Sequence, residues 1–101
     1  MHIHVALFQW KSGVAPQDIR QALQEVEGLQ DKIPGVVEIC TGENTSQYAE
    51  GYTHVVLVRA KTKEAIDAYR KHPDHVAVAK KIEAMEQHGI GVDFETETKD
   101  T

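Results

Sequence analysis

Apolar residues near the start of the chain occupy both sides of an alternating pattern. Ile3, Val5 and Leu7 fall on one side, and Ala6, Phe8 and Trp10 share the other with His4. This predicts a strand from Ile3 to Trp10 with both faces covered, unlike a strand with one wet side. Ser12-Gly13 breaks the run, and Pro16 suits the first turn of a helix. Ile19, Ala22, Leu23, Val26, Leu29 and Ile33 then recur at helical spacing, one apolar stripe of a helix ended by Pro34-Gly35. Val36 to Cys40 predicts a short β-branched strand, and Thr41 to Gly51 a polar loop. Tyr52 to Ala60, with Val55, Val56, Leu57 and Val58 in a row, predicts the strongest strand, on which Tyr52, His54, Val56 and Val58 share a face.

A helix starting at Thr62 or Lys63 carries Ala65, Ile66 and Tyr69. Pro73 disfavours helical geometry at His72, so that helix is expected to end there. Asp74 is expected to cap a second helix running from His75 to about Gln87, with Val76, Ala79, Ile82 and Met85 on one face. His88-Gly89 reads as a glycine C-cap, Ile90 to Glu95 as the last strand, and Glu97 to Thr101 as a frayed charged tail. The order β-α-β, β-α-β with a broken second helix predicts an α+β fold. It is the ferredoxin-like arrangement, a four-stranded antiparallel sheet with helices on one face. Helices cover one face only, yet the first and third strands are apolar on both. A second copy packed sheet to sheet, in a two-fold homodimer, is the expected remedy.

The 101 residues suit one domain spanning 1–101. The apolar fraction of 41% is too high for disorder. A net charge of -5 without a basic cluster argues against a nucleic-acid partner. The single cysteine, Cys40, excludes an intrachain disulfide framework and fits a reducing compartment. No basic n-region or bilayer-length apolar run is present, so no membrane partner is expected and the cytoplasm is the expected location.

Candidate chemistry centres on the seven residues from Tyr69 to His75, which place a phenol and two imidazoles around a helix break. If His4, Tyr69 and His75 converge on one cavity, His75 can take a proton, Tyr69 can bind a carbonyl oxygen, and His4 can orient or assist. The competing reading is that these groups cap helices and fill hydrogen bonds at the edge of the sheet. His72 and His75 flank a proline, and no HExxH, CxxC or diagnostic carboxylate spacing is present, so neither a metal nor another cofactor is expected. Cys40 reads as a small buried hydrophobe, Trp10 as core or interface, and Glu25/Glu27 and Asp93/Glu95 as solvated positions.

Gly51-Tyr52-Thr53-His54 entering a valine-rich strand, followed by Tyr69, His72-Pro73 and His75-Val76, resembles the stress-responsive A/B barrel (Dabb) family. The strand beginning at His4 and the Ile33-Pro34-Gly35 helix end match as well, so the resemblance covers residues 3 to 96. It implies a dimeric α+β barrel. In a plant polyketide cyclase of that family, which performs an intramolecular aldol condensation, the catalytic histidine and tyrosine fall on His75 and Tyr69. Pocket histidines fall on His4 and His54. The resemblance makes Ala6, Phe8, Leu23, Val26, Val56, Val76 and Val78 pocket walls. It sets Arg70 and Glu86 where that cyclase has an aliphatic residue and a tryptophan, Ala22 where it has an aromatic, and Gly89 and Gly91 where it has large aliphatic residues. A buried Arg70 or Glu86 is costly unless paired. A small or polar ligand is therefore expected in place of a long alkyl chain, with an anion among the candidates. Two functions follow as alternatives. One is a homodimer binding a small organic molecule, with cofactor-independent acid/base chemistry of cyclase or lyase type on a carbonyl compound. The other is a non-catalytic stress-responsive structural oligomer.

Overall fold

A computed structural model describes residues 1–97. The elements are β1 (His2–Trp10), α1 (Pro16–Glu27), a 3-10 turn (Gln30–Lys32), β2 (Val36–Glu43), β3 (His54–Ala60), α2 (Lys63–Lys71), α3 (Pro73–Met85) and β4 (Glu86–Glu95). The strands form one antiparallel sheet in the order β2-β3-β1-β4, the ferredoxin-like α+β topology. No helix among the described residues is long and apolar enough to cross a membrane. The expected frayed tail lies, from residue 98 onward, outside the described residues.

Register explains the two apolar faces. His4, Ala6 and Phe8 lie opposite Val58, Val56 and His54 of β3, and this side packs on the helices. Its core includes Ile19, Leu23, Val26 and Leu29 from α1 and the turn after it, Ile66 and Tyr69 from α2, and Val78 and Ile82 from α3. Burying each large aliphatic side chain is worth about 1.5–3 kcal/mol. On the other side Val5 and Leu7 pair with Leu57 and Val55 of β3 and with Val92 and Ile90 of β4. There Ile90, Val92 and Phe94 are 38%, 44% and 49% exposed.

Backbone demands moved several expected boundaries. The first helix stops at Glu27 because the amides of Gly28 and Leu29 turn back to Gln24 and Val26 carbonyls, and the chain tightens into the 3-10 turn. Leu29 and Ile33 reach the core from that turn, not from one continuous helix. β2 runs on from Cys40 to Glu43 because Thr41, Gly42 and Glu43 pair with Val56, Val55 and His54 through main-chain bonds that polar side chains do not prevent. β3 starts at His54 and not Tyr52, whose amide closes a turn onto Ala49. Gly35 sits at φ 89, a conformation that favours glycine, and a Cβ there would come within 2.9 Å of Ala65 Cβ.

The largest departures surround α3. Its cap is His72, whose ring accepts from the Asp74 amide; Asp74 is not the cap, and Pro73 opens the helix. The inward stripe therefore runs His75, Val78, Ala79, Ile82, leaving Val76 on the outside at 42% exposed. No glycine ends the helix. The Met85 carbonyl accepts from the Lys11 amide at 2.9 Å, and β4 begins at once, placing Gly89 within the strand opposite Phe8. Cys40 is exposed on the outer side of β2 opposite Leu57, not a buried hydrophobe, because alternation gives the inward position to Ile39.

Leu29 is 2% exposed. Leu29→Ala is expected to lower unfolding stability by about 2–5 kcal/mol through the cavity it leaves. Urea denaturation would register this as a lower midpoint at unchanged slope.

Candidate functional site

The break between α2 and α3 builds the site through an exchange of hydrogen bonds. In one continuous helix the Asp74 amide would donate to the Arg70 carbonyl. Pro73 bends the chain, His72 takes φ -60 and ψ 134, and the Asp74 amide goes instead to His72 Nδ1 at 3.1 Å. The Arg70 carbonyl, left without its helical donor, lies 3.0 Å from His75 Nδ1. A carbonyl only accepts, so the proton sits on Nδ1 and the opposite nitrogen, Nε2, carries a free lone pair.

That imidazole lies beside Tyr69, ring centroids 4.4 Å apart at 54°. Tyr69 is 2% exposed, and no hydrogen bond among the described residues uses its hydroxyl. Since no fully buried side-chain oxygen or nitrogen is unpaired, that hydroxyl reaches open space, which is the cavity Tyr69 lines. Burial pushes the phenol up to about 12, against the opposing pull of Arg70, so it stays protonated as a donor. His75 moves the other way. Burial lowers its pKa, and the charges of His4, Arg70 and His72 add to that while the bond to the Arg70 carbonyl opposes it. Near neutral pH the ring is therefore an uncharged base.

His4 completes the cluster from β1, its ring 6.1 Å from that of Tyr69. Its Nδ1 lies 2.6 Å from Asp93 Oδ1, and Arg70 Nη2 lies 2.6 Å from Asp93 Oδ2. The carboxylate accepts from both, which fixes the His4 proton on Nδ1. Arg70 Nη2 is also 3.1 Å from His4 Nδ1, a contact of two donors held together by the carboxylate. Desolvation pushes the Asp93 carboxyl up, but the bonds from Arg70 and His4 and their charges outweigh it and hold the group below the usual range. Asp93, expected as a solvated position, is thus the partner that orients His4. Its signal is register: His4 and Asp93 are directly opposite across β1 and β4.

The cavity has a volume of about 200 Å³. His4, Ala6, Phe8, Val26, Val56, Tyr69, His75, Val78 and Glu86 line it as the sequence placed them, and Ala79, Ile82 and Glu83 join them. Four expected wall residues lie elsewhere. Val76 faces outward. Arg70 is exposed on the far side of His4, occupied by Asp93, so the premise of a buried arginine at the pocket does not hold. Leu23 and His54 line a second, larger cavity between α1 and β2–β3 with Trp10, Glu27 and Thr41. The stacked rings of Phe8 and Trp10, 5.2 Å apart, stand between the two spaces. His54 Nδ1 accepts from Trp10 Nε1 at 2.8 Å and lies 2.9 Å from Thr53 Oγ1, and burial lowers its pKa against the pull of Glu43. Glu25 and Glu27 are also engaged, with Lys81 and Thr41. Among the described residues no group of three or more His, Cys, Asp or Glu is arranged to hold a metal ion.

The lowered His75 pKa has a sign for stability. The unfolded chain takes up this proton first, near the ordinary histidine value of about 6.5. Stability is therefore fully present above that pH and falls as the pH drops toward the folded value. His75→Asn is expected to flatten this loss between pH 6.5 and 5 in denaturation curves, and nitrogen NMR should find the His75 proton on Nδ1.

Comparisons with known proteins bear on this architecture. The model of the Stress responsive A/B Barrel Domain matches residues 3–96. The stress-response A/B barrel domain-containing protein HS1 of Arabidopsis thaliana is 32% identical over 78 residues, 75% of this chain and 72% of that protein. Among solved structures, a dimeric ferredoxin-like protein of unknown function from Thermobifida fusca superposes with a TM-score of 0.82 at 27% identity, covering 94% of this chain and 90% of that one. A hydroxynitrile lyase from Passiflora edulis superposes with a TM-score of 0.83 over 98% of this chain and 96% of its own, at 18% identity, a likeness of fold alone.

Proposed function

The chain belongs to the stress-responsive A/B barrel domain family, and we propose that this member is a homodimer binding a small carbonyl compound for cofactor-independent acid/base chemistry. One observation carries the catalytic reading. His75, its Nδ1 spent on the Arg70 carbonyl and its Nε2 left without a proton, and Tyr69, its hydroxyl protonated and without a partner among the described residues, line the same mostly apolar space. The Tyr69 hydroxyl donates to the carbonyl oxygen of the ligand. His75 Nε2 takes a proton from the adjacent carbon, and the electron pair of that C–H bond moves onto the oxygen as an enolate held by Tyr69. The enolate then attacks a second carbonyl or takes the proton back from His75. Water-poor walls strengthen both contacts. His4, held at Nδ1 by Asp93, lines the same space and helps to orient the ligand beside Tyr69 and His75.

Self-association is supported by the outer sheet face, where Val5, Leu7, Val55, Leu57, Ile90 and Val92 form one apolar belt by register, and by the dimeric relative from Thermobifida fusca. A stable interface buries about 800 Å² per partner, which a four-stranded face can supply.

The structural-oligomer reading has its own support, since His72 and His75 both hold the helix break together. The two readings part in one assay. Deuterium uptake next to the carbonyl of a panel of small ketones is expected to be catalysed, and His75→Ala and Tyr69→Phe to slow it by about 100-fold or more. No catalysed uptake, or uptake unchanged in both variants, with His75→Ala costing only about 1 kcal/mol of stability, favours the structural role. Val92→Asp is expected to convert dimer to monomer in light scattering. A wild-type monomer would overturn the sheet-face dimer.

A further inference from the structure

The cavity has two chemically different ends. His4, Tyr69 and His75 gather at one. At the other are Glu83, two turns further along α3 from His75, and Glu86, the first residue of β4. Eight residues of helix separate His75 from Glu83, about 12 Å at 1.5 Å per residue. The strand gives the same sense: His4 pairs with Asp93, whereas Glu86 pairs with Trp10 at the opposite end of β1. Between the ends the walls are apolar, with Ala6, Val56 and Val78 among them.

Neither carboxylate has an ionic or hydrogen-bonding partner among the described residues. Each of the other acidic groups near the site is engaged: Asp93 by Arg70 and His4, Asp74 by Lys32, Glu25 by Lys81. Glu86 is half-buried, and its position depends on an absent side chain. A Cβ on Gly89 would lie 2.8 Å from Glu86 Oε2, so the carboxylate folds back over the bare glycine on the cavity side of β4, level with Phe8. At the far end the Tyr69 hydroxyl, on a side chain 2% exposed, also has no partner among the described residues and faces the cavity.

We infer that the ligand of this cavity carries a cationic group, held by Glu86 and Glu83, joined through a short apolar spacer to the carbonyl that faces Tyr69 and His75. This rests on the proposed carbonyl site and adds the class of molecule that fits it. Arg70 gives an anion no support, since it is spent on Asp93 outside the cavity, and the carboxylates of Glu83 and Glu86 that line the space have no cationic partner among the described residues. A volume of about 200 Å³ has room for a group that displaces roughly seven waters at about 30 Å³ each.

Three methyl ketones with one three-carbon spacer, ending in trimethylammonium, tert-butyl or carboxylate, test this by NMR titration of the Tyr69 and His75 resonances. The first two share a shape and differ by one charge. The ammonium ketone is expected to bind at least 10-fold more tightly than the tert-butyl ketone, and the carboxylate more weakly than either. In Glu86→Gln that preference should shrink several-fold. Gly89→Ala keeps the charge but displaces the carboxylate, so it should also reduce the preference. Added salt should reduce it in the wild type. Equal binding of the ammonium and tert-butyl ketones, or a preference unchanged in both variants, overturns the cationic ligand while leaving the carbonyl site standing. Failure of all three to bind removes the carbonyl site and this inference with it. Charge-dependent binding without deuterium uptake would sink the catalysis but not the ligand class.

Discussion

The site depends on one carbonyl that lost its helical partner. Pro73 bends the chain, His72 captures the amide of Asp74, and the Arg70 carbonyl is left for His75 Nδ1. A buried or half-buried carbonyl seeks a donor, and an imidazole five residues on is the one in reach. The same bond that repairs the helix end decides which nitrogen of His75 is bare. Structural repair and chemical readiness are therefore one interaction. The α2/α3 angle and the Tyr69–His75 ring contact follow from it, whereas the lowered basicity of His75 comes from burial and is opposed by this bond.

The other constraint is the sheet. Four strands with helices on one side leave Val5, Leu7, Leu57 and Val92 on the other, and Arg59 with Glu38 supplies an ion pair at its margin. The inner face divides in its turn. Phe8 and Trp10 stack across it, separating the His75 cavity from the one that holds His54. Two histidines that a strand pattern assigns to one face thus serve different spaces. A face is wider than a site.

Much of this was legible in the sequence because it rests on local rules. Alternation on β1 and β3, the helical stripe of α1 and the proline break each depend on a few neighbouring residues. Strand extensions were less legible, since Thr41-Gly42-Glu43 pairs through backbone groups that every residue carries. The start of α3 turned on whether His72 or Asp74 would cap it, and two residues of difference rotated Val76 outward and His75 inward. Asp93 was hidden for another reason. A lone acidic residue on an edge strand looks solvated until its register sets it opposite His4. Arg70 was misplaced by the same gap in knowledge, because an arginine next to a pocket residue in sequence can reach out toward a carboxylate on another strand.

The joint between α3 and β4 has no loop, and the Lys11 amide fastens it at Met85. Adding or removing a single residue there would exchange the two faces of β4. Asp93 and the bare backbone of Gly89 would leave the inner face of the sheet, and Val92 and Phe94 would be turned onto it. At this joint, what the cavity accepts can therefore change by replacing side chains in place. Length change, the usual freedom of a binding loop, is closed to it at this edge.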